Sequence, residues 1–350
     1  MGIIGNSFFK TFRHLLFAAV LFGTMPLFIN ILTPYMSDST IIVGRFVISF
    51  LILLLYCLLR KKSLRLNCKK DTVWIAIAGF FMVAYAFIFI RALDSYGSSR
   101  TLVWTYTFVI LTTSLYDEIR NLKEKSNRIV SHFVCTVISL IVLFTALVLS
   151  NPFDDFSLIG IIDSMSWTFL GAVSGVLFGI RIIFIKHVMD IKTDEIDVPV
   201  SIYSNREETV LLREQFFTFV FALIFMISMP HFTSNINYIE LLGFSIENAY
   251  RWLPLVVLAL LGGVSTAMPS ILLYKGLGAV KNSSSTQTIA TLEIVIGVML
   301  MSIFTEEVMQ TQQYISAFLI FIAIAIKTNF IWELRNWLKS TQYNDKNATN

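Results

Sequence analysis

Long apolar runs follow one another along most of this chain, each about the length a helix needs to cross a bilayer, with short polar or charged connections between them. Ten such runs predict ten helices, at 12–33, 39–59, 72–92, 99–116, 128–149, 162–187, 208–229, 251–274, 284–304 and 311–332. Two connections are longer. One is 188–207, rich in Asp, Glu and Pro; the other is 230–250, whose charge before Arg251 is acidic only. The first run follows Lys10 and Arg13 in the manner of a signal peptide. It is longer than a usual signal core, however, and no small-x-small cleavage site follows it, so it is read as the first span.

The pattern is duplicated. Residues 20–30 read Val-Leu-Phe-Gly-Thr-Met-Pro-Leu-Phe-Ile-Asn and residues 176–186 read Val-Leu-Phe-Gly-Ile-Arg-Ile-Ile-Phe-Ile-Lys, identical at six of eleven positions and 156 residues apart. Each copy opens a half-chain of five hydrophobic runs. This predicts a first five-helix repeat over 11–150, a second over 161–335, and a polar tail over 336–350. With an odd number of spans per half, the second copy starts from the opposite face and is inverted in the membrane. Arg45 and Arg213, then Arg91-Ala92-Leu93 and Lys275-Gly276-Leu277, fall at matching places in the two halves.

Composition agrees with lipid as the solvent. Apolar residues make up 56% of the chain, charged residues only 14%, and the mean hydropathy is +0.72. A soluble protein carries about a quarter charged residues. The net charge of +4 conceals an asymmetry. With the amino terminus on the cytoplasmic side, 22 of the 27 Lys and Arg residues fall on cytoplasmic segments, as the positive-inside rule requires. Both termini are therefore expected in the cytoplasm, with the chain in the cytoplasmic (inner) membrane. No basic patch with interleaved aromatics suggests nucleic acid. Cys57, Cys68 and Cys135 have neither metal-ligand spacing nor an obvious pairing. Nucleophile elbows, zinc-protease helices and P-loops are absent, so an enzyme or an ATP-driven pump is not expected, and neither a cofactor nor a metal is called for.

Several short motifs add to the duplication: Val20–Gly23 and Val176–Gly179 opening the two repeats, Arg45-Phe46 in the second run, Ala92–Ser99 after the third, and Thr291-Leu292-Glu293-Ile294 through Glu306-Glu307 in the ninth. In order and spacing these resemble the drug/metabolite transporter superfamily, in particular its EamA-type members, over about residues 11–335. Ile294 and Thr105 stand where that family carries Pro, and Glu306 where it carries Gly. The resemblance implies an all-α membrane protein of ten helices in a 5+5 inverted repeat. It also implies a cavity lined by spans 1, 3, 4, 6, 8 and 9, and gradient-driven transport.

Charges inside spans are costly and mark candidate sites. Glu293 reads as the one acidic residue near the centre of a span, either a proton-coupling or substrate-contacting carboxylate or a hydrogen-bond anchor between helices. Arg45 and Arg181 each lie about six residues from a span end. Each can snorkel or pair structurally; the sharper alternative has Arg181 meeting an anionic substrate group. Trp104, Thr105, Tyr106 and Thr107, then Ser270 and Tyr274, then Gln287 and Thr291, form polar clusters suited to lining a cavity or to bonding between helices. Gly171, Gly175 and Gly179 at spacing four, with Gly23 in the first half, predict close helix packing. The expected function is secondary transport of a small organic metabolite by alternating access, proton-coupled or by exchange, as a monomer or homodimer in the lipid bilayer. The alternative is a non-transporting scaffold or assembly factor on a degenerate transporter fold.

Overall fold

A computed structural model describes residues 2–61, 69–96, 98–123, 129–150, 158–190, 206–232, 252–279, 292–304 and 311–327. Among the described residues the regular structure is entirely helical. The first run is not one helix. Helix α1 (Gly2–Gly23) stops where Thr24 turns its hydroxyl back onto the Leu21 carbonyl at 2.7 Å, and α2 (Met25–Leu32) restarts with Pro26 in its first turn. Proline suits that place because its missing N–H would have no helical partner there. Helix α3 (Asp38–Leu59) begins at Ser37, whose hydroxyl accepts the Thr40 N–H as an N-cap. Then come α4 (Lys69–Tyr96), α5 (Ser98–Lys123), α6 (Ile129–Ser150), α7 (Leu158–Asp190) and α8 (Arg206–Phe232).

The eighth run is also divided. Helix α9 (Trp252–Gly262) widens into a π-helical turn (Gly263–Ala267) and continues as α10 (Met268–Ala279). Pro269 has no N–H to offer the carbonyl four residues back, and a local π turn is one way a membrane helix absorbs that loss. The last elements are α11 (Glu293–Phe304) and α12 (Thr311–Lys327).

Six segments are long and apolar enough to cross a bilayer: Arg13–Leu32, Asp38–Leu59, Asp71–Leu93, Phe169–Met189, Glu207–Ser228 and Trp252–Lys275. The chain is thus a multi-pass membrane protein. Helix α5, expected from the sequence as a span over 99–116, is long enough but falls outside that set, because it carries Thr101, Thr105, Thr107, Thr112, Thr113 and Ser114 among its apolar residues. Apolar side chains cover the periphery: Leu55, Leu59, Ile141, Phe144, Phe169, Trp252 and Phe318 are all more than half exposed, as lipid-facing residues are.

Helix α7 packs on α4 and α5, while α1 packs on α10 and α11. Helix α8 lies against α3 and α4, and α9 against α2 and α3. Helices α6 and α12 pack on each other at one side. Close approach depends on glycine. A Cβ on Gly175 would sit 2.1 Å from the Thr105 carbonyl oxygen. On Gly171 it would meet Trp104, on Gly179 it would meet Thr112, and on Gly23 it would meet Ile296 of α11. In lipid, where helices gain little from excluding water, such backbone contact provides much of the packing attraction. Thr105 and Ser174 then share a hydrogen bond of 2.8 Å across the α5–α7 contact, and Thr24 and Ser265 one of 2.5 Å across α1 and the π turn.

Candidate functional site

Four charged side chains are buried among the packed helices: Arg45 of α3, Arg181 of α7, Glu214 of α8 and Glu293 of α11, all less than a tenth exposed. A bare charge at that depth costs several kcal/mol, so the partners of each decide what it does. Arg181 and Glu214 hold each other at two points, Nε to Oε1 at 2.5 Å and Nη2 to Oε2 at 3.0 Å. The Tyr274 hydroxyl of α10 donates to the same Oε2. The pair therefore ties α7, α8 and α10 together, with the planar fork matching the carboxylate.

Glu214 corrects the expectation that Glu293 is alone as an acidic residue within a span. It stands beside Arg213 in the first third of α8, among residues that read as the charged edge of the run. Helical spacing from Glu207 could have drawn attention to it, since Glu214 lies seven residues on, on the same face and two turns deeper.

Arg45 is held differently. Its Nε donates to the Thr266 hydroxyl at 2.8 Å, its plane lies over Phe46, and its Nη1 has no partner. Thr266 accepts this bond because its own hydrogen goes to the Leu261 carbonyl at 2.7 Å, five residues back in the π turn. The π turn just before Pro269 is thus what presents an acceptor to Arg45. Glu293 opens α11 and is 4% exposed. Among the described residues its carboxyl has no hydrogen-bond donor, and Arg45 is its charged neighbour.

Arg45, Arg181, Glu293, Tyr106 and Ser270, five of the residues singled out from the sequence, line one internal cavity. Tyr85, Phe22, Met25, Met82, Phe178 and Leu273 complete its wall, and the space between them is about 10 Å³, room for about one water molecule. The space is narrow throughout, so this is a closed arrangement that must widen before an organic molecule fits. Helices of both half-chains contribute to the lining, whereas α6 and α12 contribute nothing. Tyr274 stands behind Arg181 on Glu214 instead of in the wall. Trp104 and Thr107 are outside the lining: Trp104 stacks on Phe108, and both its indole nitrogen and the Thr107 hydroxyl are buried without a partner. Gln287 and Thr291 lie outside the described residues. Among the described residues no three His, Cys, Asp or Glu side chains are grouped to hold a metal ion.

No family model matches this chain, and no curated protein does. Solved structures do. One, described only as the crystal structure of a protein, superposes with a TM-score of 0.60 over 93% of this chain and 98% of its own, at 13% sequence identity. The chain shares that fold along almost its whole length.

Proposed function

We propose that the protein is a secondary transporter that moves a small organic metabolite across the cytoplasmic membrane by alternating access, built as ten spans in a 5+5 inverted repeat like the drug/metabolite transporters its motifs resemble. The closed, charged cavity between helices of the two halves carries this reading. A cavity that buries Arg45 with an unused donor and, among the described residues, Glu293 with no donor of its own is costly for a purely structural bundle, and it is what a substrate site needs.

The inverted repeat is supported by contacts that recur in both halves. Ser139 of α6 donates to the Ala323 carbonyl of α12, and Ser316 of α12 donates to the Ala146 carbonyl of α6. Each residue of the second bond lies 177 positions from its counterpart in the first. Position 139 meets 323 while 146 meets 316, so the two helices run antiparallel. A two-fold axis relating antiparallel helices is perpendicular to them, which in a bilayer is an axis in the membrane plane. The same exchange appears where Gly79 of α4 abuts Thr218 and Glu214 of α8, and Gly262 at the end of α9 abuts Ile48 and Arg45 of α3. Two related halves packed about such an axis can rock around a shared site.

The energy source in this reading is a gradient, used with protons or by exchange. The test is solute counterflow in proteoliposomes of the purified chain, with labelled amino acids, nucleotides, S-adenosylmethionine and sugar phosphates. Saturable counterflow of at least one class is expected. If none accumulates above protein-free vesicles, while the same protein is folded and correctly inserted, a scaffold without transport replaces this reading.

A further inference from the structure

We infer that Arg45 is the anion-binding group of the cavity, and that the ligand is a small organic monoanion whose apolar or aromatic body is held by Tyr85, Tyr106 and Phe178. The inference rests on the transporter reading and names its substrate class.

The two buried arginines are not equivalent. Arg181 has Nε and Nη2 committed to Glu214, and that carboxylate also takes the Tyr274 hydroxyl, so its charge is matched within the protein. An anion at Arg181 would have to displace a two-point pair. Arg45 has only the neutral Thr266 hydroxyl on Nε, and its Nη1 is buried with no acceptor while the side chain is 1% exposed and lines the cavity. A buried guanidinium N–H left unpaired loses its hydration without replacement. A carboxylate or similar oxyanion entering the cavity would satisfy it.

The rest of the wall defines the ligand's body. Tyr85 and Tyr106 each pack against Phe178, whose ring lies under the Arg181 guanidinium, so three rings line the cavity that Arg45 also lines. Among the described residues the wall holds one other unpaired charge, Glu293. The charges around the cavity balance: Arg45 and Arg181 against Glu214 and Glu293. One added negative charge is accommodated best when Glu293 carries its proton, whereas a dianion would leave an excess charge in a closed, low-dielectric space. Monoanions are therefore selected over dianions and over cations.

The experiment uses the full chain in detergent and reads the thermal unfolding midpoint and intrinsic fluorescence. Probes are a graded set of monocarboxylates, namely 4-methyl-2-oxopentanoate, 3-phenylpropanoate and indole-3-acetate, each beside its neutral amide, with phenylsuccinate as a dianion and 3-phenylpropylamine as a cation. At least one acid should bind saturably and about ten- to a hundredfold more tightly than its amide, the range expected for a charge-assisted hydrogen bond. Arg45→Gln, at an unchanged midpoint without probe, should lose that preference, and Arg45→Lys should retain part of it. If Arg45→Gln does not fold, the acid-against-amide difference in the wild type and its reduction in Arg45→Lys decide alone. The inference is overturned if no acid binds the wild type, if acid and amide bind alike, or if the arginine variants keep the full preference. Counterflow of a neutral or cationic solute that survives Arg45→Gln would overturn it too, yet leave the transporter reading standing. Loss of all counterflow in the wild type would remove both.

Discussion

Arg181 and Glu214 form a two-point ion pair with both side chains almost wholly enclosed, joining the helix that opens the second half-chain to the next helix along. In the first half the place corresponding to Arg181 is held by Met25, and the matching contacts of Gly79 with Glu214 and of Gly262 with Arg45 put Arg45 at the place of Glu214. The ion pair thus belongs to one half only, since Met25 carries no charge to meet Arg45.

Removing one partner strands the other. Arg181→Met leaves a buried carboxylate with only Tyr274, and Glu214→Gln leaves Arg181 without its counter-charge. Each single change should cost about 3–5 kcal/mol of stability. The double variant Arg181→Met/Glu214→Gln, which removes both charges, should recover most of it. Chemical unfolding in detergent measures all three. A double variant no more stable than the singles would show that the pair contributes through more than charge matching.

The α5–α7 contact gives a second prediction. Gly175→Ala places a methyl group against the Thr105 carbonyl, which cannot move without shifting α5, so a loss of about 1–3 kcal/mol or more is expected from overpacking. Gly263→Ala provides the control, since its Cβ would meet only the flexible end of Ile52. Folded yield after solubilisation should fall for the first and stay near wild type for the second.

Much of this arrangement was legible in the sequence. The apolar run 39–59 corresponds to Asp38–Leu59, and 162–187 lies within Leu158–Asp190, because uninterrupted apolar stretches leave a helix as the only way to satisfy the backbone in lipid. The breaks at Thr24 and at Gly263–Ala267 were legible only through Pro26 and Pro269, which interrupt those two runs, since hydropathy is the same on both sides of each. Tyr106 and Ser270 of the polar clusters reach the cavity while Trp104 and Thr107 do not. Neighbouring positions on one helix point in different directions, and only the packing of α5 against α7 decides which of them faces inward. Glu214 was missed for a related reason: residue type and depth are visible along the chain, but a partner 33 positions away on another helix is not.

Topology is a third prediction. The Lys and Arg distribution requires the segments at Arg60–Lys70 and Arg120–Arg128 to be cytoplasmic. On a cysteine-free background, an impermeant thiol reagent added to intact cells should label single cysteines near Asp38, Asp154 and Asn235, and should not label those near Lys62 or Lys123. Labelling in the basic segments would remove the inverted-repeat reading, whatever the transport assays gave.

Glu293 carries the last prediction. It faces the cavity from α11, with Arg45 of α3, Tyr85 of α4, Tyr106 of α5 and Arg181 of α7 around the same space, and among the described residues no hydrogen-bond donor fixes its carboxyl in one state. A ligand anion on Arg45 and a charged Glu293 compete for the same cation. Binding of the anion should therefore weaken as the pH rises and Glu293 loses its proton. Glu293→Gln keeps the size and loses only the ionisation, so its anion binding should be at least as tight as the wild type's and nearly flat with pH. In proteoliposomes the same variant should exchange substrate across the membrane yet fail to accumulate it when a proton gradient is imposed, because the group that changes charge as the cavity switches sides is gone. A structural Glu293 would behave otherwise: Gln would be nearly silent in every assay, and Ala would reduce the folded yield. An unchanged pH profile in the Gln variant would exclude Glu293 as the coupling group and move the search to Glu214, the other buried carboxylate beside the cavity.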